Sequence, residues 1–382
     1  MTQNKESLER ERAPKYIAAF VHASAVSLTL KLHAPGSWEY RRALEVAARP
    51  EVADLRSTLA FRYHQRCEPN YSLDSGTLAL LEMASPHESV VRVKMALVKV
   101  LLLPRDGMLA SFEKNYLELA GKCIWQDRRV DPETLYLALK DVTLDLAYPC
   151  FRRAFFRLEA QRQKLVRAEG GGECFFVPLA KDNFQKRIFA NYFATLVGAK
   201  SFEVALHCSK IALCDLTNMF KTFLLVHTSF HRMLLARELS LLLPEAFPVD
   251  AGALLVNVGY GAARLVREAA GKPFRKNVSY KQRELLGDLH ALHCALLDEM
   301  DLEFLEKSIC PRGWFLDSTV HASCERRRFD DAVLRLEKKR GRPKRLRDEE
   351  EVEGRAAKRL QRIRLLWGTL GFDSVPSKAI PS

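Results

Sequence analysis

The sequence predicts an all-α protein, built as an irregular array of helical hairpins with a flexible basic C-terminal tail. Three observations support this fold class: apolar residues recur at helical spacing along most of the chain, strand-like alternation is almost absent, and helix start signals precede several apolar faces. The chain has 382 residues, 48% of them apolar, which is enough for one large or two ordinary domains. No fixed period of about 30 to 50 residues recurs, so no named repeat family is indicated.

Several helices are predicted from apolar spacing and from capping residues. A first amphipathic segment carries apolar residues between positions 17 and 28, and Ser37 precedes a second segment as its N-cap. Residues 85–88, Ser-Pro-His-Glu, have the form of a capping box and predict a helix of about eighteen residues. The start signal recurs at 131–133, Asp-Pro-Glu, and the box recurs at 279–282, Ser-Tyr-Lys-Gln.

A run of three glycines at 170–172 marks the predicted domain boundary, because consecutive glycines cost too much backbone entropy for a helix interior. We therefore expect an N-terminal helical domain over 1–168, a second helical domain over 174–323, and a basic, largely disordered tail over 324–382. Residues 325–364 contain sixteen Lys/Arg and nine Asp/Glu, a net charge of +7. Helical segments of the second domain are predicted at about 181–198, 201–215, 217–243, 251–270 and 280–307.

Charge and cysteine usage favour an intracellular protein with an anionic partner. The chain has 60 Lys/Arg against 47 Asp/Glu, a formal net charge of +13. Its nine cysteines are odd in number and widely scattered, as in a reducing compartment. No run reaches the roughly 18 to 20 apolar residues of a membrane-spanning helix, and the first residues lack the apolar run of a signal peptide. We expect no membrane association and a location in the nucleus or cytoplasm.

The most informative string in the sequence is 338–345, Lys-Lys-Arg-Gly-Arg-Pro-Lys-Arg. It resembles an AT-hook, a short motif with an Arg-Gly-Arg-Pro core and basic flanks that inserts into the minor groove of A·T-rich DNA. The resemblance covers eight of 382 residues and identifies no family for the helical body. It implies weak contact with A·T-rich DNA through Lys338, Lys339, Arg340, Gly341, Arg342, Pro343, Lys344 and Arg345.

The chemistry of these residues is consistent with a minor-groove ligand. The groove is about 6 Å wide, which excludes a helix but admits an extended chain. Gly341 has no side chain to collide with the groove wall, and Pro343 keeps Arg342 extended. Arg340 and Arg342 would lie along the groove floor while the flanking cations face phosphates. The alternative interpretation is a basic linker or a plain import signal.

A second pattern in the tail predicts import into the nucleus, with importin as a partner. Two basic clusters flank a spacer of twelve residues, Lys344 and Arg345 before it and Lys358, Arg359 and Arg362 after it. This is the arrangement of a bipartite nuclear localisation signal, and the acidic run 348–353 fits an exposed spacer. Residues 354–367 also carry apolar side chains at helical spacing, so a short helix that packs on the body or on a partner is expected as well.

Residues suited to metal binding or catalysis are few, and their spacing favours neither. The possible ligands are His207 with Cys208 and Cys214, His227 with His231, and His290 with His293 and Cys294. They lack Cys-x-x-Cys spacing and lie among apolar residues, which is typical of structural positions. The Gly-x-Gly at 259–261 lacks the third glycine of a dinucleotide site, and we interpret it as a place of close helix packing. We predict no catalytic residue, no metal and no cofactor.

Two further basic clusters bear on whether the helical body binds nucleic acid. The cluster at 152–167 is interpreted as the outer face of an ordinary amphipathic helix, and the alternative is a basic helix that binds phosphate. The other lies in a predicted loop and comprises Lys272, Arg275, Lys276, Lys281 and Arg283.

The sequence as a whole predicts a non-enzymatic nuclear protein. We expect a helical scaffold for nuclear protein partners, with a tail that contacts A·T-rich DNA, in a transcription or chromatin complex. The alternative is a viral or mobile-element packaging or nucleoprotein subunit whose helical body binds nucleic acid directly. A continuous basic groove through the helices would favour the alternative.

Overall fold

Every regular element in the described part of the chain is a helix, which confirms the predicted all-α class. The computed structural model describes residues 2–58, 61, 68–101, 108–126, 130–139, 229–275, 278, 280–309, 313–338 and 361–363. In chain order the α-helices are α1 (Thr2–Leu32), α2 (Trp38–Ala47), α3 (Pro50–Ser57), α4 (Ser75–Ala84), α5 (Ser89–Leu101), α6 (Met108–Ala120), α7 (Pro132–Ala138), α8 (Ser229–Leu242), α9 (Ala251–Leu254), α10 (Tyr260–Ala269), α11 (Gln282–Glu299), α12 (Leu302–Ser308) and α13 (Leu316–Lys338). A 3₁₀ helix covers Tyr71–Leu73.

The chain divides into two units that differ from the predicted domains. Unit 1 joins Met1–Leu78 to Val256–Ser382, and unit 2 is Ala79–Leu255. In unit 2, α8 packs against α5 and α9, and α6 packs against α7. The linear division into 1–168 and 174–323 is therefore corrected: the N-terminal helices complete a core with helices from the C-terminal third.

Helix α1 lies at the centre of unit 1 and packs against α2, α3 and α10 to α13. Its predicted apolar face is buried, with Ile17, Phe20, Val21 and Val26 each at most 1% exposed. Phe20 meets Phe329 of α13 with ring centroids 5.3 Å apart. Burial of this face against the C-terminal helices joins the two sequence segments that make up unit 1.

Helix α13 corrects the predicted start of the tail. It continues without a break through Ser323 to Lys338, so residue 324 lies inside a helix. Phe329 and Ala332 form a buried face on this stretch, and Arg326 is only 1% exposed. The high charge of 325–338 led to the prediction of an exposed tail. In the structure one of the charged residues, Arg326, is itself buried in the core.

Two of the predicted helix starts are confirmed by their caps. The Ser37 side chain accepts a hydrogen bond from the Tyr40 backbone N–H, N···O 3.1 Å, at the start of α2. The Asp131 carboxylate accepts from the Thr134 backbone N–H, N···O 2.8 Å, and Pro132 is the first residue of α7. Both are short-range capping interactions that depend on adjacent residues alone.

Other predicted boundaries differ from the structure. Helix α4 runs to Ala84, so Ser85 follows its end and donates its hydroxyl to the Leu81 carbonyl, while α5 begins only at Ser89. The capping box at 85–88 is therefore wrong. The box at 279–282 is also wrong, since Lys281 is the N-cap of α11 and makes no side-chain cap bond.

Two predicted helices of the second domain are each divided in two, two lie outside the described residues, and one is described in part. The segment 251–270 contains α9 and α10, and 280–307 contains α11 and α12. Asp301 separates α11 from α12, because its side chain caps α12 by accepting a hydrogen bond from the Phe304 backbone N–H. The segments 181–198 and 201–215, like the glycine run, lie outside the described residues, and α8 is the described part of 217–243.

Helix α10 packs closely on α13 at the Gly-x-Gly sequence. A Cβ atom added to Gly261 would lie 2.6 Å from the Sγ atom of Cys324. Real Cβ atoms do not approach other heavy atoms so closely, so a larger residue at 261 would require the Cys324 side chain to move. This close approach supports the interpretation of Gly261 as a packing feature.

Candidate nucleic-acid interface

The AT-hook-like segment begins where α13 ends. Lys338 is the last residue of α13, and 339–345 lie outside the described residues. Of the predicted import residues, only Arg362 is described; it is partly exposed, whereas Lys344, Arg345, Lys358 and Arg359 lie outside. The described turn at 361–363 is helical and buries Ile363, in agreement with the apolar spacing of 354–367.

The predicted basic cluster follows α10 and extends into the first turn of α11, where Arg283 lies, and aromatic side chains lie among its cations. Between positions 264 and 283 the sequence has seven basic residues and one acidic residue. We call these cations and the rings beside them the aromatic–basic surface. It comprises Tyr260, Arg267, Lys272, Phe274, Arg275, Tyr280, Lys281 and Arg283. All of these residues belong to unit 1. The side chain of Lys276, the remaining member of the predicted cluster, lies outside the described residues.

Three aromatic rings form a row on this surface. The Phe274 ring lies between Tyr260, at 5.6 Å between centroids, and Tyr280, at 5.8 Å. The Tyr280 hydroxyl accepts a hydrogen bond from the Arg275 backbone N–H, N···O 2.6 Å, and the Arg267 guanidinium lies 4.3 Å from the Tyr280 ring centroid. Tyr260, at the other end of the row, is 53% exposed. The row is thus anchored at one end and open to solvent at the other.

The cations of this surface fall into two groups. Lys272 Nζ donates to Asp288 Oδ1, and Arg267 Nη1 lies 3.9 Å from Asp288 Oδ2. Asp288 is buried, so these two cations compensate a charge that would otherwise be costly.

The second group consists of Arg275, Lys281 and Arg283. Each is exposed, and none pairs with an acidic side chain of the described part of the chain. Their charge is therefore available to an anionic ligand.

Arg327 connects the aromatic–basic surface to α13 and hence to the tail. Its Nη1 donates to the carbonyl oxygens of Tyr260, at 3.1 Å, and Gly261, at 3.2 Å, and its guanidinium lies 5.5 Å from the Tyr260 ring centroid. Lys338 is eleven residues further along the same helix, a distance of about 16 Å at 1.5 Å per residue. The two basic elements are carried by one helical unit.

Sequence reasoning identified the cations of this surface and missed its rings. Phe274 and Tyr280 lie within the basic loop, so their interleaving with cations was a visible signal. Tyr260 and Arg327 join the surface only through the packing of α10 on α13, which the sequence did not show.

Of the predicted metal candidates, His290, His293 and Cys294 are fully described. His293 Nδ1 lies 2.8 Å from Thr319 Oγ1, and burial lowers the pKa of His293. His290 and Cys294 are exposed. Across the described ranges, no group of three or more His, Cys, Asp or Glu residues could hold a metal ion. His207, Cys208, Cys214, His227 and the side chain of His231 lie outside them.

No known protein family matches this sequence, and no curated protein or solved structure is significantly similar to it. Among the helices of the described ranges, none is both long enough and apolar enough to cross a bilayer.

Three carboxylates lie near one another where α13 meets the 3₁₀ helix. Glu68 accepts from the Ser24 hydroxyl at 3.1 Å, and Asp74 accepts from the Gly76 N–H at 3.1 Å. Glu325 is buried on α13 and accepts from Arg328. Burial, together with the nearby carboxylates, raises the pKa of Glu325 to about 7, despite the opposing effect of Arg328.

This raised pKa predicts that Glu325 lowers stability as pH increases. A carboxyl that ionises near pH 4.5 when unfolded and near 7 when folded binds more protons in the folded state across that interval. Its contribution to the free energy of unfolding therefore falls from pH 4.5 to 7, by roughly 2 to 3 kcal/mol. Glu325→Gln should be more stable than wild type at pH 8 and nearly equal to it at pH 4.5.

Urea unfolding of the full chain across this interval measures the effect. Burial lowers the pKa of His22 to about 4, so this residue acts in the opposite direction between pH 4 and 6.5. The difference between variant and wild type removes the His22 contribution. The exposed Glu306→Gln on α12 is the matched control, and an equal pH profile for both variants would contradict the prediction.

Proposed function

We propose that this chain is a non-enzymatic nuclear DNA-binding protein. Its helical units would form a scaffold for nuclear protein partners, and its C-terminal tail would contact A·T-rich DNA in the minor groove. The observation that carries this proposal is the Arg-Gly-Arg-Pro core at 340–343, with basic residues on both sides, directly after the end of α13. A transcription or chromatin complex is the expected setting.

The attachment of the tail supports this division of roles. Helix α13 is fixed to α1 through Phe329 and Phe20 and to α10 through Arg327, so the basic segment starts from a fixed point on unit 1. A single hook of this kind binds weakly. It gains affinity when a partner held by the helical units binds the same DNA, because the second contact becomes intramolecular.

The specificity of the tail is tested with Arg342→Ala in the full chain. Arg342 is the residue that Pro343 holds extended for the groove floor, so its removal should weaken binding to an A·T-rich duplex by about 1 to 3 kcal/mol. Binding to a G·C-rich duplex should change less. Fluorescence anisotropy with the two duplexes measures this.

The matched control is Arg347→Ala, which removes the same charge outside the Arg-Gly-Arg-Pro core. It should weaken both duplexes equally. If Arg342→Ala also weakened binding to both duplexes equally, the segment would be a basic linker and not a minor-groove ligand.

The same tail is proposed to direct nuclear import through importin. Alanines at Lys344 and Arg345, or at Lys358 and Arg359, should each move a fluorescent fusion of the chain into the cytoplasm, because a bipartite signal needs both clusters. Microscopy of the two variants measures this, with alanines at Lys31 and Arg41 on unit 1 as the control. Full nuclear retention of both tail variants would contradict the proposal.

A second candidate function is direct nucleic-acid binding by the helical body, as in a viral or mobile-element packaging or nucleoprotein subunit. The aromatic–basic surface favours it, because Arg275, Lys281 and Arg283 are exposed beside a row of rings. The two candidate functions are compatible, since Lys338, where the AT-hook-like segment begins, and this surface belong to one unit.

A further inference from the structure

We infer that the aromatic–basic surface of unit 1 binds single-stranded nucleic acid, with its exposed cations on phosphates and its exposed ring against a base. This rests on the second candidate function, nucleic-acid binding by the helical body, and adds the class of nucleic acid. The tail has no part in it. Three features of the surface support the inference: cations that the fold does not require, rings that are held in place, and a ring open to solvent.

The cations at the start of α11 are unfavourable for the fold. Lys281 occupies the N-cap position, where Ser, Thr, Asp and Asn are preferred, and makes no cap bond. Arg283 adds a second positive charge in the first turn, where the helix dipole favours a negative charge such as that of the neighbouring Glu284. Residues that break a local stability rule without a structural gain are expected at functional sites. Phosphate binding supplies the gain that the fold does not.

The loop does not need these cations to hold its position. Gln282 fastens the start of α11, because its Nε2 donates to the Val258 carbonyl at 3.1 Å and its Oε1 accepts from the Val258 N–H at 3.2 Å. Tyr280 closes the loop on Arg275 through its hydroxyl. The side chains of Lys281 and Arg283 are thus left exposed on a fixed backbone.

The rings distinguish a single strand from a duplex. In single-stranded nucleic acid the bases present their faces to aromatic side chains, whereas in a duplex the faces are stacked inside the helix. The Phe274 ring contacts the rings of both Tyr260 and Tyr280, and Tyr260, at the end of the row, is more than half exposed. Rings already held in place lose little conformational entropy when a base stacks on them.

The test compares an oligodeoxythymidine with an abasic strand of equal length, by fluorescence anisotropy on the full chain. Wild type should bind the thymidine strand more tightly, because only that strand offers bases for stacking. Tyr260→Ser should weaken thymidine binding between about fivefold and hundredfold and leave abasic binding unchanged. Wild-type binding to the abasic strand as tight as to the thymidine strand would overturn the inference.

The cations are tested with Lys281→Ser and Arg283→Ser together. The double variant should flatten the plot of log K against log salt by up to about 1.4 units, at about 0.7 per phosphate contact on a single strand. Its melting temperature should not fall, because serine is a better N-cap than lysine. Lys31→Ser with Arg41→Ser, exposed on α1 and α2, removes the same charge and should leave the slope unchanged.

The outcomes separate this inference from the functions on which it depends. If the double variant weakened binding to the thymidine strand and to a duplex equally, the body would still be a nucleic-acid-binding element. Its proposed preference for single strands would be wrong. No change on either ligand would overturn both. Binding to phosphatidylserine vesicles through the same side chains, without binding to the thymidine strand, would assign the surface to a membrane. The tail proposal is judged separately, by Arg342→Ala on duplexes.

Discussion

Neutralising the seven basic side chains within 338–347 should remove most of the salt dependence of duplex binding that the tail contributes. Removal of one phosphate contact flattens the plot of log K against log salt by about 0.9 units, so the slope should change by up to about six units if all seven engage. Such a change corresponds to an affinity decrease of several orders of magnitude at low salt. Anisotropy on an A·T-rich duplex at a series of salt concentrations measures it.

A permuted tail is the control for this prediction. A full chain in which 338–347 keep their composition but lose the Arg-Gly-Arg-Pro order should retain the steep slope and lose the preference for A·T-rich DNA. This outcome separates phosphate contact, which charge alone supplies, from groove recognition, which needs the order. An unchanged slope in the neutralised chain would contradict any contact between this segment and DNA.

The largest decrease in stability is expected from Asp330→Ala. Arg326 is fully buried; its Nε donates to Asp330 Oδ1 at 3.1 Å, and its guanidinium lies 3.2 Å from the Tyr16 ring centroid. Removing the carboxylate leaves a buried cation without its partner, which costs about 3 kcal/mol. This is the lower end of the usual range, because the Asp330 side chain is 32% exposed. Urea unfolding followed by circular dichroism measures the decrease.

Two further variants identify the buried charge as the cause. Asp331→Ala removes an exposed carboxylate from the same helix, 3.9 Å from Arg327, and should cost less than about 1 kcal/mol. Arg326→Met in the Asp330→Ala background removes the unpaired cation and should restore much of the stability. If the double variant were less stable than Asp330→Ala alone, the contacts of the Arg326 guanidinium with the rings of Tyr16, Phe20 and Phe329 would outweigh the cost of its unpaired charge, and that cost would not be the cause of the decrease.

Features that depend on neighbouring residues were predictable from the sequence. The caps at Ser37 and Asp131 each join residues three apart, and the buried face of α1 follows from helical spacing alone. The predicted box at 85–88 failed because a local pattern does not show that α4 already extends to Ala84.

Features that depend on distant residues were not predictable. The tail was expected to begin at 324, but Arg326 is buried because Tyr16 and Phe20 lie against it, some 310 residues earlier in the chain. Charge composition cannot distinguish a solvated cation from one covered by another helix. For the same reason the cations of the aromatic–basic surface were found from the sequence, whereas Tyr260 and Arg327 were not.

Chemical footprinting of the full chain on an A·T-rich duplex tests the proposed DNA contact most directly. Dimethyl sulfate methylates adenine N3 in the minor groove and guanine N7 in the major groove, so the two positions report which groove the protein occupies. We expect protection of adenine N3 by wild type, disappearance of that protection in a variant with alanines at Arg340 and Arg342, and no protection of guanine N7. Protection of guanine N7 instead, or adenine N3 protection that survives the two substitutions, would contradict minor-groove binding by the tail.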